Sequence, residues 1–196
     1  PSSVERYCIH FMGCYAAFTG LRLADQLVKA NPQARVLVVS VELCTLHFQK
    51  EYTEDNLLAN SLFGDGAAAA LLMRSDVGLK LGPYLGHVLR DGEQDMAWGI
   101  GDFGFEMRLS KYIPALLDQG IKNLTQIFEE KFKLSQIRHF AIHPGGKQIL
   151  AKVQEAFDLP KQVNVHAEQV LRQYGNMSSA SILFVLRRMM DDPEIS

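Results

Sequence analysis

Three side chains in this sequence stand where chemistry could be done: Cys14, His143 and Asn176. Cys14 follows Gly13 at the junction of an apolar run and a helical period, so the unpaired N–H groups and positive dipole end of that helix would favour a thiolate. His143 leaves a second apolar run and precedes Pro144-Gly145-Gly146, a loop whose glycines let a ligand approach the backbone. Asn176 lies in Tyr174-Gly175-Asn176-Met177-Ser178-Ser179-Ala180, where small residues open an apolar helix. A thiolate is a nucleophile, an imidazole can pair with it, and an amide can donate to a developing oxyanion. Singly, each residue also has a plain structural reading: a small buried thiol, a satisfied histidine at a strand end, a turn or helix cap.

The elements that would position them alternate in period. Residues 4–12 read as a buried strand that delivers the chain to Cys14, and residues 15–30 as a helix buried on nearly all sides, stopped by Asn31-Pro32. Residues 35–41 are almost wholly apolar, as expected of an interior strand covered on both faces. A short helix over 53–62, the turn Gly64-Asp65-Gly66 and a buried strand over 67–73 follow, with 79–89 pairing beside it. The period then predicts a long amphipathic helix over 110–132, a strand over 137–142, and helices over 147–157, 165–173 and 177–190. Strand, loop and helix around His143 echo those around Cys14. The alternation argues for a layered α/β architecture.

Composition narrows the partners. In 196 residues, 47% are apolar and 21% charged, the balance of a globular protein. The net charge of −2 offers no basic field to recruit nucleic acid or an anionic membrane. Three cysteines without paired spacing predict no disulfide framework and a reducing, cytoplasmic setting. The first residues lack the order of a signal peptide, and no apolar run reaches the ~18 residues of a membrane span. Cys8, His10 and Cys14, or Cys44 and His47, have loose metal-ligand spacing, but a zinc site shows tighter pairs carried on a loop. No metal is expected.

Jointly, the motifs carry more. Gly13-Cys14-Tyr15-Ala16-Ala17, Ile142-His143-Pro144-Gly145-Gly146 and Tyr174-Gly175-Asn176-Met177-Ser178-Ser179-Ala180-Ser181, in that order, resemble the Cys, His and Asn motifs of the type III polyketide synthases, the chalcone synthase family of thiolase-fold condensing enzymes. The segments from Val36 to Glu42, Leu62 to Ala69 and Met107 to Pro114 are similar as well. The resemblance implies a layered αβαβα fold, present in part. Residues 1–75 would form the second part of the N-terminal half and 76–196 the C-terminal half.

It also implies an acyltransferase that performs decarboxylative Claisen condensation on CoA thioesters, with no other cofactor. Cys14 would hold an acyl starter. His143 would sustain the thiolate as an ion pair and, with Asn176, stabilise the enolate formed as malonyl-CoA loses carbon dioxide. Phe63, Cys44, His47, Met107, Gly145, Gly146 and Ser178 would bind substrate. Phe63 matches a family phenylalanine between the CoA tunnel and the cavity. Met107 replaces a second phenylalanine of plant members, and Cys44 and His47 replace threonines. A homodimer is expected from the resemblance alone. Single condensation in the manner of ketoacyl synthase III, or a relic acting as a binding subunit, are the competing readings. The family is longer at both ends, so this piece alone is expected to expose sheet edges and apolar helix faces and to be inactive.

Overall fold

The computed structural model describes residues 3–88, 96–102, 104–109 and 113–195. A short 3-10 turn, Gly13–Tyr15, runs directly into helix α1, Ala16–Ala30. Strand β1, Val36–Glu42, follows, then a 3-10 turn at Cys44–His47, helix α2, Glu54–Leu62, and strand β2, Gly66–Leu72. Strands β3, Met96–Gly101, and β4, Gly104–Leu109, precede helices α3, Ile113–Phe132, α4, Lys147–Ala156, α5, Val165–Tyr174, and α6, Ser179–Met190.

Local chemistry accounts for the helix limits. Thr53 caps α2 by accepting from the Asn56 N–H at 3.1 Å, and Glu54 and Asp55 sit in the first turn, at the positive end of the dipole. After α1 the Asn31 N–H still reaches the Leu27 carbonyl at 2.9 Å, but Pro32 cannot continue the ladder. At α6 the cap is tertiary. The Glu42 carboxylate at the end of β1 accepts from the Ser179 N–H at 3.2 Å and from its hydroxyl, so an anion closes the helix start.

β1 and β2 pair antiparallel, Val39 opposite Ala69. One face of the pair lies under α1 and α6, where Val38, Ala68, Ala70 and Leu72 meet a core of Ala17, Leu21, Ala180, Ile182 and Val185. Gly20 lets α1 sit close on the sheet, since a Cβ there would lie 3.1 Å from Val38 Cγ1. The opposite face is uncovered: Leu37, Val39, Val41 and Leu71 are 57–60% exposed. The sequence predicts strands covered on both faces; the structure covers one. α1 is likewise one-sided, with Ala17, Gly20, Leu21 and Ala24 buried and Phe18 exposed.

Two predicted strands do not form. Residues 4–12 and 137–142 are irregular, and 4–12 are exposed throughout. A strand exists through ladder bonds to a neighbour, and among the described residues neither segment is paired in a sheet. Residues 79–88 also form no strand, and Leu89, like residues 110–112 of the predicted long helix, lies outside the described residues. The β3–β4 hairpin, which the hydrophobic pattern did not announce, places Trp98 opposite Met107.

Candidate active site

The site is built on one crossing of two chain segments. Phe63 and Asn176 form a parallel bridge; the Asn176 N–H donates to the Leu62 carbonyl at 2.8 Å and the Gly64 N–H to the Asn176 carbonyl at 3.1 Å. The approach is too close for side chains. A Cβ on Gly64 would lie 2.6 Å from the Tyr174 carbonyl oxygen, and one on Gly175, whose φ is +72°, would lie 2.9 Å from the Leu62 oxygen. The glycines of the Phe63-Gly64 and Gly175-Asn176 motifs are thus halves of one joint.

That joint aims the Asn176 side chain, 1% exposed, at Cys14. The Cys14 sulfur lies 3.9 Å from Oδ1 and 4.0 Å from Nδ2 of Asn176. Oδ1 accepts from the Ser178 N–H at 2.9 Å and Nδ2 donates to the Gly145 carbonyl at 3.4 Å, a pair of bonds that fixes which end of the amide is which. Ser178 holds φ +47° and ψ −127°, a conformation an L residue adopts only under tertiary constraint. His143 stands behind Gly145, where a Cβ would be 3.4 Å from His143 Cδ2 and 3.7 Å from Nε2. Cysteine, asparagine, glycine and histidine are therefore contiguous, although 129 and 162 positions separate Cys14 from His143 and Asn176 (143 − 14 and 176 − 14).

The electrostatics favour a neutral resting site. Burial pushes the Cys14 thiol above its usual range, the Glu42 carboxylate adds to the rise, and hydrogen bonds from Ser178 and Asn176 pull against it. Burial alone pulls His143 down to about 4, with neither ring nitrogen hydrogen-bonded. The resemblance implies an imidazolium–thiolate pair; both shifts here run toward thiol and neutral imidazole. Cys44 is held protonated, pushed up to about 11 by burial, then by Glu42, Asp65 and Cys14.

The His143 shift carries a stability prediction. The unfolded chain takes up a proton near the ordinary imidazole value of 6.5, the folded chain only at about 4. Between those values the unfolded state binds more protons, so stability is full above pH 6.5 and falls as pH drops toward 4. The loss should be about 3 kcal/mol. Urea midpoints at pH 7 and pH 4.5 should separate more for the wild type than for His143→Gln; equal separations would refute the assignment.

Cys14 opens into a cavity of about 740 Å³. Phe63, Cys44, His47, Met107 and Ser178, all predicted substrate-binding residues, line it. His143, Asn176, Gly145 and Gly146 do not; they form the layer behind, with Gly145 buried. The sequence reading assigned no role to Glu42, Trp98 or Phe105. Glu42 ends an apolar strand, a placement that signals a tertiary partner, and Trp98 and Phe105 reach the cavity region only through the hairpin.

Scaffold and site together are those of the thiolase-like α/β class. Solved structures agree: 1,3,6,8-tetrahydroxynaphthalene synthase of Streptomyces coelicolor A3(2), a bacterial type III polyketide synthase, superposes with a TM-score of 0.90 at 28% identity, over 97% of this chain and 56% of that one. PKS-I of the brown alga Ectocarpus siliculosus gives 0.89 at 31%, over 96% and 52%. The family model for chalcone and stilbene synthases matches in both its parts, the N-terminal domain over residues 1–76 and the C-terminal domain over 85–195. The chain belongs to the chalcone and stilbene synthase family, the type III polyketide synthases. A family relative from Bacillus subtilis (strain 168) is 40% identical over 195 residues, 93% of this chain and 53% of that protein. The alpha-pyrone synthesis polyketide synthase-like Pks18 of Mycobacterium tuberculosis is 30% identical, over 98% and 51%. The chain spans about half the length of the relatives it matches. Among the described residues no helix is long and apolar enough to cross a membrane.

Proposed function

We propose that the protein carrying this chain condenses malonyl-CoA units onto an acyl starter held on Cys14, to make a polyketide. The Cys14 sulfur would attack the acyl-CoA carbonyl as neutral His143 takes the thiol proton; the bond to CoA sulfur breaks, and CoA leaves with that proton. The depressed imidazole gives that proton up readily as CoA leaves. Malonyl-CoA then loses carbon dioxide. The enolate left behind is met by the Asn176 amide and the His143 ring, and its carbon attacks the acyl group, releasing the Cys14 thiolate. The driving force is decarboxylation, so no redox group takes part, and the substrates are CoA thioesters. A cytoplasmic homodimer is the working form in this reading.

One observation carries it most: a helix-start thiol within 4.0 Å of a buried amide, at the wall of a large apolar cavity. Incubating the intact protein with malonyl-CoA and a panel of acyl-CoAs should release carbon dioxide and yield ketide products by mass spectrometry. Products that stop after one extension, and only with malonyl on acyl carrier protein, would replace the reading with single condensation. No product and no carbon dioxide would leave a binding subunit.

A further inference from the structure

We propose that His47 is the acid-base residue of the release step: it moves the proton that lets the finished chain close on itself and leave Cys14. The inference rests on the reading above and concerns how the product departs.

His47 ends the 3-10 turn Cys44–His47. In such a turn residues three apart eclipse, so the Cys44 and His47 side chains share a face, and both line the cavity that holds Cys14. Cys44 is close enough for the charge of Cys14 to act on it. The segment is firmly held. The Asp65 carboxylate accepts from the Thr45 N–H at 2.8 Å and from its hydroxyl at 2.7 Å, and the Gln49 amide donates to the Phe105 carbonyl at 3.2 Å.

The ring itself is gripped by apolar contacts alone. It meets Trp98 at 5.1 Å and Phe105 at 5.6 Å between centroids, edge to face in both. Two aromatic rings fix its plane and take none of its hydrogen-bonding capacity. Among the described residues no hydrogen bond involves either imidazole nitrogen, and neither nitrogen is a buried, unsatisfied atom. A histidine with oriented, accessible nitrogens in a cavity walled by phenylalanine, tryptophan and methionine is placed to act on what fills that cavity.

What fills it is a chain of alternating ketones, returned from CoA to Cys14 after extension by the same thioester exchange that loaded the starter. A methylene between two carbonyls is acidic enough for imidazole to deprotonate. His47 takes that proton; the resulting enolate oxygen, on the fifth carbon counting the thioester carbonyl as the first, attacks that carbonyl. A carbon–oxygen bond forms, the carbon–sulfur bond to Cys14 breaks, and the thiolate recovers the proton from the imidazolium. A six-membered lactone departs, and no water, oxidant or reductant is consumed. The other titratable groups of the cavity wall are ill-suited: Glu42 is engaged with Ser179, Cys44 is held protonated, and His10 and Tyr15 stand exposed. Asp65, tied to Thr45, and Glu106 on β4 are the neighbouring carboxylates on the elements packed against His47.

The test reads product partition per carbon dioxide released, so that a slower enzyme does not enter. Malonyl-CoA and one acyl-CoA are given to the intact protein, to His47→Phe, which keeps a ring for Trp98 and Phe105, and to His47→Gln, which keeps a polar group that does not titrate. The ratio of lactone to hydrolysed open-chain acid should fall about tenfold or more in both. A ratio unchanged in both variants, in a protein that still releases carbon dioxide, overturns this inference alone. A wild type that neither loads starter nor releases carbon dioxide overturns the parent reading and this one with it.

Discussion

Cys14→Ala should leave the intact protein unable to carry an acyl group, so that after incubation with an acyl-CoA its mass is unchanged, while the wild type gains one acyl unit. Polyketide formation should fall on the order of 10³-fold or more, since no other thiol in the cavity can substitute. Cys44, the other thiol lining the cavity, is held protonated first by burial and then by the Glu42 and Asp65 carboxylates. Carbon dioxide release from malonyl-CoA should survive, because its donors, Asn176 and His143, remain. Iodoacetamide supplies the second readout. Alkylation of Cys14 should rise through an inflection above the usual cysteine range, owing first to burial and then to the Glu42 charge. An acylated Cys14→Ala protein, or undiminished product, would remove Cys14 from the mechanism.

The same residues show what the sequence could and could not disclose. Helices α1 to α6 were legible, because apolar period and helix-stopping residues report a property of each segment alone. The strands expected over 4–12 and 137–142 were not, because β-branched runs report only a readiness to pair, and pairing depends on a partner elsewhere. Cys14 and Asn176 were legible by motif, whereas their distance of 4.0 Å depends on the crossing at Phe63. Gly64 and Gly175 looked like separate turns; they are two sides of one contact that a Cβ would prevent. Glu42 escaped notice because a glutamate at a strand end gains its role only when α6 starts beside it. His47 was marked as a cavity residue from resemblance, but its Trp98 and Phe105 supports lie about 50 residues further on, brought back by a hairpin.

The Asn176 amide allows a test that separates chemistry from architecture. Asn176→Asp retains the oxygen that accepts from the Ser178 N–H at 2.9 Å, so the strained Ser178 corner and the backbone joint to Leu62 and Gly64 should persist. The amide nitrogen, however, becomes an oxygen. It would face the Gly145 carbonyl and the Cys14 sulfur, replacing a donor with an acceptor, and its charge would be buried with no cation beside it. A developing enolate would then meet repulsion in place of a hydrogen bond. Malonyl-CoA decarboxylation should fall about 10²- to 10³-fold, the cost typical of losing one preorganised donor. The alkylation inflection of Cys14 should move further up, because a second carboxylate joins Glu42 in opposing the thiolate. Asn176→Ala supplies the structural comparison: it also strips the Ser178 N–H of its partner in a buried site and should cost about 1–3 kcal/mol of stability. If both variants lost activity only in step with their melting temperatures, Asn176 would be a scaffold residue. If Asn176→Asp decarboxylated at the wild-type rate, the amide would have no part in stabilising the enolate.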